Sequence, residues 1–225
     1  MNSTLLLATL VGVFFPAYIL LTYKKINTRI KKQSRYRLLD YKQTILIFWV
    51  LTITILINYF AHQQPKMNFY PKISWINVGI MIVALVLSVW QYKTIKHSDF
   101  NHLSVKEKIK HIYDYLPRNT NELNWFILLS VSAGICEEIM FRLFLFEFVK
   151  NNIGVISAFA ISNLIFALTH IGSGKLNMIN SFILGLLFSS IYYYTENIWL
   201  AVVLHVLIDI NIGILGYRVS KHEKV

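Results

Sequence analysis

Glu137-Glu138-Ile139-Met140-Phe141-Arg142 stands in the middle of an otherwise apolar run, residues 125–149. Runs of that length read as membrane helices, and an ionisable side chain inside one is costly, so such residues face a partner or a water-filled cavity. Three of them within six positions therefore imply a polar site inside a helix bundle. Glu138 and Arg142 are four residues apart and share a helix face, the favourable order for an ion pair, whereas Glu137 points about 100° away. One carboxylate is neutralised in place and the other is left for work. For a pair of this kind taken alone a structural ion cluster between helices is the preferred reading, so the rest of the chain decides.

Composition agrees with the membrane reading. Of 225 residues, 56% are hydrophobic and only 15% charged, with a positive mean hydropathy. The net charge of +11 does not indicate nucleic acid, because Lys and Arg sit in blocks between apolar runs rather than along one basic face. Cys136 is the single cysteine, which excludes an internal disulfide and a Cys-rich metal site, and reads as a small buried apolar residue. Lys outnumbers Arg, and Ile, Asn and Tyr are plentiful, which hints at an AT-rich bacterial genome; a multi-pass protein of a bacterial plasma membrane is expected.

Outward from the central run, seven transmembrane helices are expected, at about 5–23, 44–61, 73–92, 125–149, 152–171, 178–197 and 198–215. The first is read as a retained anchor, bent near Pro16. Lys24, Lys25, Arg29, Lys31, Lys32, Arg35, Arg37 and Lys42 follow it against Asp40 alone, which assigns this loop to the cytosol and the N-terminus outside. The C-terminal tail, with Arg218, Lys221 and Lys224, is then cytosolic; only Lys66, Lys72, Lys150 and the buried Arg142 fall elsewhere. In the long loop 93–124, Ser104-Val105-Lys106-Glu107 has the form of a capping box, and Val105, Ile109, Ile112 and Leu116 recur at helical spacing. An amphipathic helix on the inner leaflet is expected there, with docking of a soluble partner as the alternative. His62, His97, His102, His111 and His222 read as loop or surface residues. Ser181, Gly185 and Ser189 form a small-residue stripe, and Gly213 and Gly216 mark the last span, so helices should approach closely at both places. The expected organisation is a membrane region of three spans plus the loop helix over 1–124, a four-span core over 125–217 and a cytosolic tail over 218–225.

Two histidines lie in or beside the late spans: His170, in Phe166-Ala-Leu-Thr-His170, and His205, in His205-Val-Leu-Ile-Asp209. A lone membrane histidine is ordinarily a helix–helix hydrogen bond, but Asp209 lies four residues after His205 on the same face. Glu137, His170, His205 and Asp209 thus come from three spans and meet only in a bundle interior, as a water-activating hydrolytic site or a metal site.

The ordered set Glu137-Glu138-x-x-x-Arg142, Phe166-x-x-x-His170 and His205-x-x-x-Asp209 resembles the CAAX protease and bacteriocin-processing (CPBP, or Abi) family of intramembrane proteases. The resemblance covers about 125–215. It implies peptide-bond hydrolysis within the membrane, with Glu137 matching the water-activating glutamate, His170 and His205 the two histidines, Arg142 and Glu138 the supporting pair with Phe166 beside them, and Asp209 the last polar position. Eukaryotic members carry Asn at that position, which donates a hydrogen bond to an oxyanion where an ionised Asp only accepts; bacterial relatives also carry Asp. The resemblance implies a membrane-associated peptide or protein as substrate, of the bacteriocin- or pheromone-precursor kind, and the lipid bilayer as surroundings.

Two mechanisms remain open at this point. Glu137 acts as a metal-free base on a water held with His170, or Glu137, His170 and His205 bind Zn²⁺ with water in the fourth position. Proton- or ion-coupled transport and a non-catalytic bacteriocin-immunity or scaffold role are the alternatives of other classes. No His-Glu-x-x-His or Gly-x-Gly-Asp signature occurs, and Gly172-Ser173-Gly174-Lys175 lacks the rest of a P-loop. His170 falls near the inner end of its span and Glu137 mid-span, so the two meet only if the cavity opens to the cytosol.

Overall fold

The computed structural model describes residues 3–63, 65–97 and 102–222, and these form an all-α bundle with no strand among them. Helix α1 runs over Ser3–Lys32, α2 over Arg35–His62 and α3 over Trp75–His97. The short α4, His102–Ile109, leads through a 3-10 turn at Tyr113–Tyr115 to α5, one continuous helix over 120–153. Then come α6, Val155–Thr169, a second 3-10 turn at Ile171–Ser173, α7, Lys175–Thr195, and α8, Ile198–His222.

Helices α1, α2, α3, α7 and α8 are long and apolar enough to cross a bilayer. That is five, and the expected count of seven is not reached on this measure. The other two candidates differ in kind. Helix α6 has 15 residues, and at 1.5 Å per residue it rises about 22 Å against a hydrocarbon core of ~30 Å. Helix α5 is long enough, but Glu122, Glu137, Glu138, Arg142 and Glu147 lie along it, all buried among its neighbours. It is the central post of the bundle.

Local chemistry explains where the elements depart from the apolar runs. Pro16 has no N–H for the helix ladder, and the turn just before it, Leu10–Phe14, is π-helical, which relieves the clash between its ring and the carbonyl four residues back. Helix α1 continues through residues that the sequence assigns to a loop, because Arg29, Lys31 and Lys32 occupy its last turn, where cations suit the negative end of the helix dipole. Asn119 caps α5, its side chain accepting from the Glu122 N–H at 2.9 Å. Helix α4 is described from His102 onward, and the capping box expected at Ser104 falls on a side chain outside the described residues. Midway along α5, Ile139–Phe146 is π-helical and every residue in it is buried.

The segments assigned to the cytosol meet at one end of the bundle. Arg37, fully buried there, places NH1 2.8 Å from Glu122 Oε2 and donates from Nε to the Asp114 carbonyl at 2.7 Å. The Tyr41 hydroxyl donates to the Tyr115 carbonyl. Ile109, Tyr113 and Leu116 pack with Tyr41, Phe126 and Val219, so the loop segment turns its apolar side into the base of the bundle, not onto a lipid leaflet. At the opposite end Trp199 Nε1 donates to the Phe69 carbonyl at 2.8 Å and Lys72 pairs with Glu196 at 3.1 Å. Helix α3 leans on α8, where Asn211 donates to Ser88 Oγ at 3.1 Å and Gln91 Oε1 at 3.0 Å, and its other faces stay exposed.

Candidate active site

Glu138 and Arg142 form the expected pair, NH1 to Oε1 at 3.1 Å with both side chains fully buried, although α5 widens into its π segment between them. The guanidinium also donates from NH2 to the Gly185 carbonyl at 3.3 Å and lies 4.2 Å from the Phe166 ring centre. That arrangement needs α7 close to α6. A Cβ on Gly185 would stand 2.8 Å from Asn163 Oδ1 and 3.1 Å from Phe166, so the small-residue stripe does bring the helices together, and Ser189 donates to Asn163 Oδ1 at 3.0 Å. On α8, Gly213 faces Phe126 of α5 and Gly216 faces Leu116 just before that helix, with no room for a side chain at either place.

His205, on α8, has three carboxylates around it, of which one holds it. Its Nδ1 lies 2.9 Å from Glu138 Oε1; a carboxylate only accepts, so Nδ1 carries the proton. Its Nε2 then faces Glu137 Oε2 at 3.6 Å and Asp209 Oδ2 at 3.7 Å. These two distances are beyond a direct hydrogen bond. Orientation of His205 therefore comes from Glu138 and from the Phe188 ring stacked on it at 5.1 Å, while Asp209 lies beside it as a more exposed carboxylate.

His170 ends α6. Its Nδ1 donates to the Phe166 carbonyl at 2.9 Å, within reach of the Thr169 hydroxyl at 3.2 Å, which leaves Nε2 with a lone pair. The Phe166 ring touches both imidazoles, 4.7 Å from His170 and 6.3 Å from His205. The 3-10 turn after His170 is fixed, because the Gly172 carbonyl accepts from Asn27 Nδ2 at 2.7 Å and from the Tyr115 hydroxyl at 2.9 Å. Burial pushes the Tyr115 phenol well above its usual range, so it keeps its proton and remains a donor. Gly172 thus latches this turn to α1 and to the segment before α5.

Glu137, His170, His205 and Asp209 all line one cavity of about 550 Å³, bounded also by Phe166 and Phe188 and continuing to Asn27, Asp40, His111 and Tyr115 at the base. The mid-bundle glutamate and the terminal histidine thus share a space that reaches the end assigned to the cytosol. Sequence reasoning missed Phe188 and the second role of Glu138. Phe188 looks like any apolar span residue, though it lies three after Gly185. Among the described residues, no three His, Cys, Asp or Glu side chains are set to hold one metal ion, so Glu137, His170 and His205 do not form a ligand set as they stand.

Residues 119–211 match the family described as type II CAAX prenyl endopeptidase Rce1-like. Over this segment, under half of the chain, the sequence is similar to the CAAX prenyl endopeptidases that its motifs resemble. No curated protein and no solved structure matches the chain.

Proposed function

We propose that the chain is an intramembrane endopeptidase that hydrolyses a peptide bond of a membrane-associated peptide or protein with a water activated by Glu137. The observation that carries this reading is the shared cavity: a carboxylate, two imidazoles and a second carboxylate line one space inside the bundle. Hydrolysis needs a nucleophilic water, donors to the oxyanion and a proton for the leaving amine. Glu137 takes a proton from the water as its oxygen attacks the carbonyl carbon, and His170 Nε2 accepts the water's other hydrogen. His205, with its Nδ1 proton held on Glu138, presents an Nε2–H to the developing oxyanion in its doubly protonated form. Asp209 keeps that edge of the ring beside a negative charge. Glu137 then returns its proton to the amine as the C–N bond breaks. Precursor peptides of the bacteriocin or pheromone kind, processed in a bacterial plasma membrane, are the substrates this reading favours.

Glu137→Gln tests it, since the amide keeps size and much of the hydrogen bonding but removes the base. The purified variant should remain folded and lose hydrolysis by about 10²–10⁴-fold. Cleavage at the native rate would overturn the scheme and move transport or scaffolding ahead.

A further inference from the structure

Asp40 lines the same cavity as Glu137, yet its carboxylate makes no hydrogen bond or ion pair with any described residue. It stands in the most basic part of the chain; Arg29 lines a small neighbouring pocket with it and His111 lines the same cavity, neither paired to it, and two further basic neighbours are committed elsewhere. Arg37 is bound to Glu122 and the Asp114 carbonyl, and Lys42 Nζ lies 4.4 Å over the Trp125 ring. A partly buried carboxylate with no partner is unfavourable and is stabilised by any cation that reaches it. A second acceptor faces the same space: Asn27 donates through Nδ2 to Gly172, while its Oδ1 is buried with no donor. The cavity that holds these groups and Glu137 is mostly apolar in its lining, with Ile19, Ile47, Phe48 and Leu129 among the wall residues. An apolar cavity with two unmet acceptors in its wall suits an apolar peptide carrying one cationic side chain.

The helices set the spacing. Tyr41 packs edge-on to Phe126 with ring centres 5.4 Å apart, which puts the start of α2 level with the first turns of α5. From Asp40 to Glu137 there are then about twelve residues of helical rise, roughly 18 Å. Extended peptide covers that span in about five to six residues.

Building on the protease reading above, we infer that Asp40 is a specificity-determining residue that receives a lysine or arginine of the substrate, about five to six residues from the scissile bond. Asn27 Oδ1 accepts a further hydrogen bond from the same cation or from the peptide backbone beside it.

The test is binding to purified Glu137→Gln protein in detergent, followed by fluorescence anisotropy of labelled apolar peptides of about twenty residues that differ only in one Lys or Gln. The Lys peptide should bind roughly tenfold more tightly, the scale of one hydrogen bond to a charged group. Adding Asp40→Asn should erase the difference, and Asp40→Lys should make a Glu peptide the preferred one. Equal affinity of Lys and Gln peptides for the Asp40 protein overturns the inference, and because only the peptide changes, folding of a variant does not enter. Turnover by the unsubstituted chain is read separately. There the cut bond should move with the Lys as it is walked along the peptide, and a fixed cut site also overturns the inference. No hydrolysis, with charge-dependent binding intact, refutes the protease reading and leaves the cation site standing.

Discussion

His205 Nδ1 lies 2.9 Å from Glu138 Oε1, the same carboxylate oxygen that Arg142 reaches at 3.1 Å. One buried oxygen thus holds a cation on its own helix and an imidazole on α8, so the pair that neutralises the bundle interior also aims a ring into the cavity.

Arg142→Ala should mainly harm folding. It leaves Glu138 buried without its cation, at a cost of about 3–5 kcal/mol. The monodisperse fraction and thermal unfolding in detergent measure this, and normal values with lost activity would show a different role. A Glu138→Leu/Arg142→Met double variant should regain most of the stability, because both charges leave together, yet hydrolyse poorly because His205 has lost its anchor. Full activity in that variant would remove Glu138 from the positioning of His205.

His170→Ala and His205→Ala should each abolish hydrolysis while the protein stays folded, since each ring supplies a step the other cannot. Asp209 stands 3.7 Å from Nε2 and makes no direct hydrogen bond to it. Asp209→Asn should therefore stay within roughly tenfold of native turnover, because an amide can still donate toward the oxyanion, and Asp209→Ala should lose more. A drop with Asp209→Asn as large as that with His205→Ala would show that the charge itself is required.

Gly185→Ala should destabilise the chain by about 1–3 kcal/mol, the usual cost of an added methyl with no room. The new Cβ would meet Asn163 Oδ1 at 2.8 Å and Arg142 NH2 at 3.3 Å. Gly79→Ala is the matched control, since a Cβ there meets nothing within 4 Å, and its stability should be unchanged or slightly raised. Equal unfolding temperatures for the two variants would contradict the close α6–α7 approach.

Dialysis against a chelator should leave hydrolysis unchanged, because Glu137, His170 and His205 do not converge as ligands. Elemental analysis of the same preparation gives the contrary result its meaning. Stoichiometric Zn, lost on His170→Ala and on His205→Ala together with activity, would replace the glutamate-base scheme with a metal site.

Much of the site is legible in the sequence because charge inside an apolar run is costly and so carries information. Glu137, Glu138, Arg142, His170, His205 and Asp209 announce themselves that way, and the four-residue spacing of Glu138 and Arg142 suffices to pair them. Small residues at spacing four likewise reveal where α7 approaches α6. What the sequence does not carry is rotation between helices. The Glu138–His205 contact depends on which face of α8 docks on α5, and Phe188 is indistinguishable from its apolar neighbours until that docking is known. The π segment Ile139–Phe146 has no sequence mark either, being an adjustment to packing on all sides. Span boundaries are misjudged where polar residues extend helices, as at Arg29–Lys32. The cap at Asn119 is a readable signal that Ser104-x-x-Glu107 overshadows, since both have a polar residue three before a glutamate.

The hydrogen bonds from Asn211 to Ser88 and Gln91 impose an order on biogenesis. The three residues are separated by 120 and 123 positions along the chain. At ~5–20 residues per second of synthesis, α3 emerges roughly 6–25 s before the helix that satisfies its polar groups. Helix α3 therefore waits in the bilayer with Ser88 and Gln91 lacking their partner, and the later-made α8 is the helix that fastens it.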